Sequence, residues 1–125
     1  MSPFPAVILL VDDDDCFRRA LAIALRLDGF RVLEAATAHE ALRHLQSEPV
    51  SLAVVDMLLG GEHGDDVLEL TTRHRPDARL VSISGHPEMP SRAALAGQAI
   101  HLEKPIVPST IIALLGEQVA AAVRR

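Results

Sequence analysis

Along the chain, short unbroken apolar runs alternate with stretches in which apolar residues return every three or four positions. Residues 6–11 (AVILLV) are apolar without interruption, the pattern of a strand covered on both faces. Phe17, Ala20, Leu21, Ala24 and Leu25 then recur at helical spacing, and Gly29 supplies a stop. Residues 31–35 (RVLEA) predict a short strand at the edge of a sheet. Thr37 and Glu40 form a capping box, the hydroxyl taking the Glu40 amide while the carboxylate reaches back. The helix it opens carries Ala38, Ala41, Leu42 and Leu45 as its stripe. Residues 51–56 (SLAVVD) repeat the first pattern, a buried strand ending in an aspartate, and LLGGEHG (58–64) reads as a loop. A helix over 65–74, a fourth strand over 78–84, a short helix near 91–96 and a fifth strand over 99–102 follow. Pro108 suits the first turn of a last helix with Ile111, Ile112, Leu115 and Val119 as its stripe.

Five strand–helix pairs in 125 residues imply a parallel sheet, because each crossover must return over one face. The expected architecture is α/β: a doubly wound, five-stranded parallel sheet of order 2-1-3-4-5, a flavodoxin-like (βα)5 fold forming a single domain over 1–125. No repeat or linker interrupts it.

Composition narrows the function. No apolar run approaches the roughly 20 residues of a membrane span, and the start MSPFPAVILLV lacks the basic head of a signal peptide. A cytoplasmic protein without membrane contact is expected. The lone Cys16 excludes an internal disulfide and is expected as a small buried hydrophobe. A net charge of −5 and 2 % aromatics argue against nucleic-acid binding. The six histidines (39, 44, 63, 74, 86, 101) show no paired metal spacing, and most are expected on the solvated surface.

In open parallel sheets, ligands sit outside the carboxyl ends of the strands. Strand one ends in Asp12 and Asp13, strand three in Asp56, strand four in Ser84, and strand five runs into Lys104 and Pro105. Two carboxylates about 4 Å apart repel by roughly 4 kcal/mol at an effective dielectric near 20. Three together need a cation, or a carboxyl that keeps its proton. Lys104 offsets part of the charge, and a hard divalent ion such as Mg²⁺, which keeps several waters, offsets the rest. The quartet Asp12–Asp15 therefore divides: the first two acids serve a metal, and Asp14 and Asp15 cap and open a helix.

These pieces, ILLVDDD (8–14), LAVVDMLLGGEHG (52–64), LVSISGH (80–86) and LEKP (102–105), make the sequence similar to the receiver domain of bacterial two-component response regulators over essentially its whole length. The resemblance implies that Asp56 is the phospho-acceptor. It implies Mg²⁺ on Asp12, Asp13, Asp56 and the backbone carbonyl of Leu58. Ser84 fills the slot of the switch hydroxyl, Lys104 that of the lysine on the phosphoryl group, and Gly64 that of the loop glycine eight residues past the acceptor. The implied partner is a sensor histidine kinase or phosphotransfer protein. Such a domain catalyses only its own phosphorylation and slow dephosphorylation, and signals through the link from its fourth strand to its fourth helix and the surface formed by the fourth helix, fifth strand and last helix.

Several positions depart from the pattern. Leu59-Gly60 stands where Met-Pro is common, and with Gly61 should make that loop more flexible. His101 occupies a slot usually aromatic, which makes it a switch candidate or else a surface residue on an edge strand. Ile106 replaces a common Phe, and the segment from Ser84 to Lys104 is about two residues short of the family's length. HPEMP (86–90) should make the fourth helix start late, and His86 either neighbours the phosphate or stays in its loop. Three other readings compete. A degenerate receiver would act as a phosphate-independent interaction module. A small Mg²⁺-dependent phosphatase would use Asp12 and Asp14 as a D-x-D pair, and a flavin carrier would share the topology.

Overall fold

A computed structural model describes residues 6–85 and 91–123, with side chains described to residue 115. His86, Pro87 and Pro90 lie outside the described residues, as does the side chain of Val119. Five parallel strands, β1 (Val7–Val11), β2 (Arg31–Ala35), β3 (Leu52–Asp56), β4 (Arg79–Ser84) and β5 (Ile100–Glu103), form one sheet. Their order, β2-β1-β3-β4-β5, is the doubly wound arrangement that the alternation of runs predicts. Helices α1 (Asp15–Leu27), α2 (Ala38–Ser47), α3 (Gly64–His74), α4 (Arg92–Leu95) and α5 (Pro108–Val123) connect and cover the strands. Among the described residues, no helix is long and apolar enough to cross a membrane.

The unbroken apolar runs follow from burial on both faces. Side chains alternate along a strand, so Ile8 and Leu10 of β1, with Leu52 and Val54 of β3, pack against Leu21 and Leu25 of α1 and Ile111 and Leu115 of α5. Val7, Leu9 and Val11, with Ala53 and Val55, face Ala41 and Leu45 of α2 and Val67 and Leu68 of α3. On α1 the inward face is turned relative to the expected stripe: Arg18 and Ala22 are buried, whereas Ala20 is exposed. Cys16 lies off this face and is exposed, not the buried hydrophobe expected.

The caps follow the sequence closely. Asp14 caps α1 by accepting from the Phe17 amide at 3.1 Å. Thr37 caps α2 by accepting from the Glu40 amide at 3.1 Å, while Glu40 reaches one residue further back and accepts from Ala36 N at 3.2 Å. Gly29, at φ 96°, ends α1 and donates to the Arg26 carbonyl at 3.0 Å.

The segment after β3 departs from the expected loop. Leu58–Leu59 pairs antiparallel with Glu62–His63 across a Gly60-Gly61 turn, with Gly60 at φ 62°. Two glycines between short extended stretches suit a tight hairpin. The same residues that promise flexibility thus build an ordered ribbon. Glu62 Oε1 fastens it to α2 by accepting from Ala38 N at 3.2 Å.

Among the described histidines, His39 and His63 are exposed, His63 also capping α3 by accepting from Asp65 N at 3.2 Å, whereas His44, His74 and His101 are half-buried and His44 bonds the Glu34 carbonyl at 2.9 Å. The short α4 begins at Arg92, buries none of its own residues and leaves Leu95 exposed.

Candidate functional site

The parallel register brings the ends of β1, β3, β4 and β5 to one edge. Asp12 follows β1 directly, its amide donating to the Ala35 carbonyl at 3.0 Å. Its Oδ1 accepts from the Asp14 amide at 2.9 Å, and its side chain is buried. Asp56 is the last residue of β3 and pairs with Ile83 of β4. Its Oδ1 accepts from the Leu58 amide at 3.2 Å and its Oδ2 from Lys104 Nζ at 3.1 Å. Lys104 is held by its amide on the Ser84 carbonyl at 2.8 Å. Its Nζ stands 2.9 Å from Asp12 Oδ2 and 4.7 Å from the centre of the Phe17 ring.

One oxygen each from Asp12, Asp13 and Asp56 lie within 4.8 Å of one another. Asp13 is exposed, at the mouth of the cluster, beside the hairpin turn at Gly60. Ser84 ends β4 one residue beyond the partner of Asp56 and is buried. Leu58 lies two residues past Asp56, at the start of the hairpin. Gly64 opens α3 where a Cβ would overlap the Asp56 carbonyl oxygen and reach 2.8 Å from Met57 Cα. Asp12, Asp13, Asp56 and Lys104 therefore converge as the strand-end reading expects.

Asp14 and Asp15 stay in the cap and first turn of α1. His101 lies half-buried on the edge strand β5 and is not among the residues of the acidic cluster. Its Nδ1 is 2.7 Å from Ser82 Oγ, and Ser82 Oγ is 2.8 Å from Ser91 Oγ, the cap of α4. Sequence spacing gives no sign of this chain, because its members come from three separate elements. The inward face of Arg18 is equally hidden: its Nη1 donates to the Asp12 carbonyl at 2.7 Å.

Burial pushes the Asp12 carboxyl above its ordinary value, and the charge on Asp56 adds to the rise. The Lys104 ammonium and the Asp14 amide pull it back only in part. Burial lowers the Lys104 ammonium, but the nearby Asp12 and Asp56 carboxylates raise it on balance. For a carboxyl raised on folding, the stabilising contribution is complete below the ordinary carboxylate range. It is lost as pH rises through the raised value, so at neutral pH the ionised Asp12 costs stability. Asp12→Asn is therefore expected to raise the thermal midpoint in chelator. Differential scanning calorimetry at pH 7 checks this, and an equal or lower midpoint contradicts it.

A hard cation fits this donor set. Asp12 Oδ2 is buried and takes no aligned hydrogen bond among the described residues. Its 2.9 Å approach to Lys104 is an ion pair without hydrogen-bond geometry, so a lone pair stays directed into the cluster. Three carboxylate oxygens at one mouth suit Mg²⁺.

The fold and this edge define an α/β domain with an acidic centre at the carboxyl end of a parallel sheet. The chain belongs to the response regulator receiver domain family, whose profile matches residues 8–116. It is 34 % identical over 110 residues to the acid tolerance regulatory protein ActR of Sinorhizobium medicae, covering 86 % of this chain and 57 % of ActR. It is 36 % identical over 100 residues to the photosynthetic apparatus regulatory protein RegA of Cereibacter sphaeroides, covering 78 % and 54 %. The chain thus spans little more than half the length of these relatives. A CheY-like receiver domain protein from Methanospirillum hungatei matches with a TM-score of 0.85 at 26 % identity, covering 97 % of this chain and 98 % of that one. The receiver domain of the hybrid histidine kinase CckA matches at 0.76 and 29 %, covering 90 % and 98 %.

Proposed function

We propose that this receiver accepts a phosphoryl group on Asp56 from the phosphohistidine of a sensor kinase or phosphotransfer protein. The observation that carries this reading is Lys104, bridging Asp12 and Asp56 at 2.9 and 3.1 Å. A carboxylate oxygen of Asp56 attacks phosphorus in line, the P–N bond breaks, and its electron pair leaves with the histidine nitrogen. Lys104 then exchanges its contact with Asp56 for one with the phosphoryl oxygens, where charge develops. Asp12, Asp13, Asp56 and the Leu58 carbonyl would hold Mg²⁺, which when bound neutralises the carboxylates and the incoming phosphate. The Leu58 amide on Asp56 Oδ1 fixes the acceptor's orientation. Water later hydrolyses the acyl phosphate in the same place.

Asp14 argues against the phosphatase alternative. Its carboxylate is committed to the α1 cap, so the second acid of a D-x-D pair is turned away from Asp12 and Asp56.

Output follows from the strand ends. Ser84 is positioned to turn toward a phosphoryl group on Asp56, drawing the β4–α4 connection with it. Ser82, on the same strand, carries the chain from His101 to the α4 cap, so α4 and β5 respond together. Ser84→Ala is expected to retain phosphoryl uptake and to lose the effect of phosphorylation on residues 92–103. Hydrogen exchange with and without acetyl phosphate and Mg²⁺ reads this, and a response equal to wild type overturns the assignment. The reading as a whole is tested by intact mass after incubation with acetyl phosphate: one added phosphoryl group with Mg²⁺ and none with chelator. A phosphate-independent module would show no added phosphoryl group in either condition.

A further inference from the structure

Arg18 is the one buried basic side chain among the described residues, and it plays no part in the chemistry above. Burying a guanidinium is costly unless its fork is satisfied. Here Nη1 donates to the Asp12 carbonyl at 2.7 Å and meets Asp15 Oδ1 at 2.8 Å. Nε meets Glu34 Oε1 at 3.2 Å, and Glu34 is held in turn by Arg26 at 3.1 Å. The side chain thus joins the end of β1, the first turn of α1 and strand β2.

The acceptor that matters is the Asp12 carbonyl, part of the peptide unit between Asp12 and Asp13. With the Asp12 amide on Ala35 and Oδ1 on the Asp14 amide, Arg18 completes the restraint on that turn. Oδ2 is left facing the cluster. Asp13 has no side-chain partner among the described residues, so the peptide that Arg18 holds sets its direction.

We propose that Arg18 is a positioning residue for the divalent-cation site, fixing the Asp12–Asp13 peptide so that both carboxylates present to one ion. The inference rests on reading that cluster as a cation site. Its sign separates it from simple electrostatics. Removing a nearby positive charge would by itself tighten cation binding, whereas losing the restraint weakens it. Residues that orient metal ligands from behind cost about 10–100-fold in affinity when changed.

The test is calorimetric titration of Mg²⁺ into the wild-type chain, Arg18→Met and Arg18→Lys, with thermal midpoints in chelator as the record of folding. Arg18→Met keeps an apolar stem and is expected to weaken Mg²⁺ binding about 10-fold. Arg18→Lys keeps a charge without the fork and is expected to fall between. If Arg18→Met fails to fold, Arg18→Lys carries the test: it keeps the charge, so electrostatics alone leaves binding unchanged, whereas loss of the fork is expected to weaken binding about threefold. A purely structural role would lower the midpoint and leave the Mg²⁺ affinity of the folded fraction unchanged. Unchanged or tighter binding by the folded variant overturns this inference alone. Absence of Mg²⁺ binding by the wild type overturns the cation site and this inference with it.

Discussion

Asp56→Asn is expected to abolish phosphoryl uptake from acetyl phosphate while leaving the chain folded. The side chain is buried at the end of β3, where Leu58 N and Lys104 Nζ converge on its two oxygens. An amide keeps the shape of the carboxylate and one acceptor oxygen but is not a nucleophile toward phosphorus. The substitution also removes one of the crowded charges, so the thermal midpoint in chelator should hold or rise. Lys104→Met tests the complementary role. It leaves the nucleophile in place and removes the cation that meets the developing charge, for an expected 10²–10³-fold loss in the rate of uptake. Residual uptake by Asp56→Asn at the wild-type rate would place the acceptor elsewhere.

Gly64→Ala has the largest expected effect on folding. The first residue of α3 packs so tightly on the end of β3 that a Cβ would overlap the Asp56 carbonyl oxygen. It would also stand 2.6 Å from the Met57 side chain and 2.8 Å from Met57 Cα. Gly64 N donates to the Met57 carbonyl at 2.9 Å, so the two segments cannot separate without losing that bond. Main chain cannot yield as a flexible side chain does, and the expected cost is about 3 kcal/mol, typical of severe overpacking. At roughly 4 °C per kcal/mol, the midpoint falls by about 12 °C. Because the displaced atoms belong to the acceptor and its neighbour, uptake by the folded fraction should fall as well. Thermal unfolding with a parallel phosphorylation assay measures both. A midpoint within about 3 °C of wild type would show that the contact relaxes.

Much of this was legible in the sequence because it depends on local or periodic signals. The runs at 7–11 and 52–56 announce strands buried on both faces, and the acids at their ends fall together once the sheet is parallel. Asp14 and Thr37 read as caps because a cap needs only a short side-chain acceptor three residues before the amide it takes. What escaped depends on contacts between distant elements. Arg18 and Arg19 look alike in the sequence, and only the approach of Glu34 from β2 makes one of them a buried anchor. The Ser82–His101 contact is set by the pairing of β4 with β5, which places the two residues opposite each other. The Phe17 ring beneath Lys104 joins α1 to the end of β5. The Gly60-Gly61 pair was visible, but whether two glycines loosen a loop or close a hairpin is decided by the residues on either side. Here Leu58 pairs with His63 and Glu62 ties to α2.

The most direct test of the central claim is to locate the phosphoryl group chemically. Borohydride reduces an aspartyl phosphate to homoserine, which peptide mass mapping places in the sequence. After incubation with acetyl phosphate and Mg²⁺, homoserine is predicted at position 56, and none in a sample treated with chelator. Homoserine at another aspartate, or at position 56 in equal amount without a divalent cation, would contradict the account.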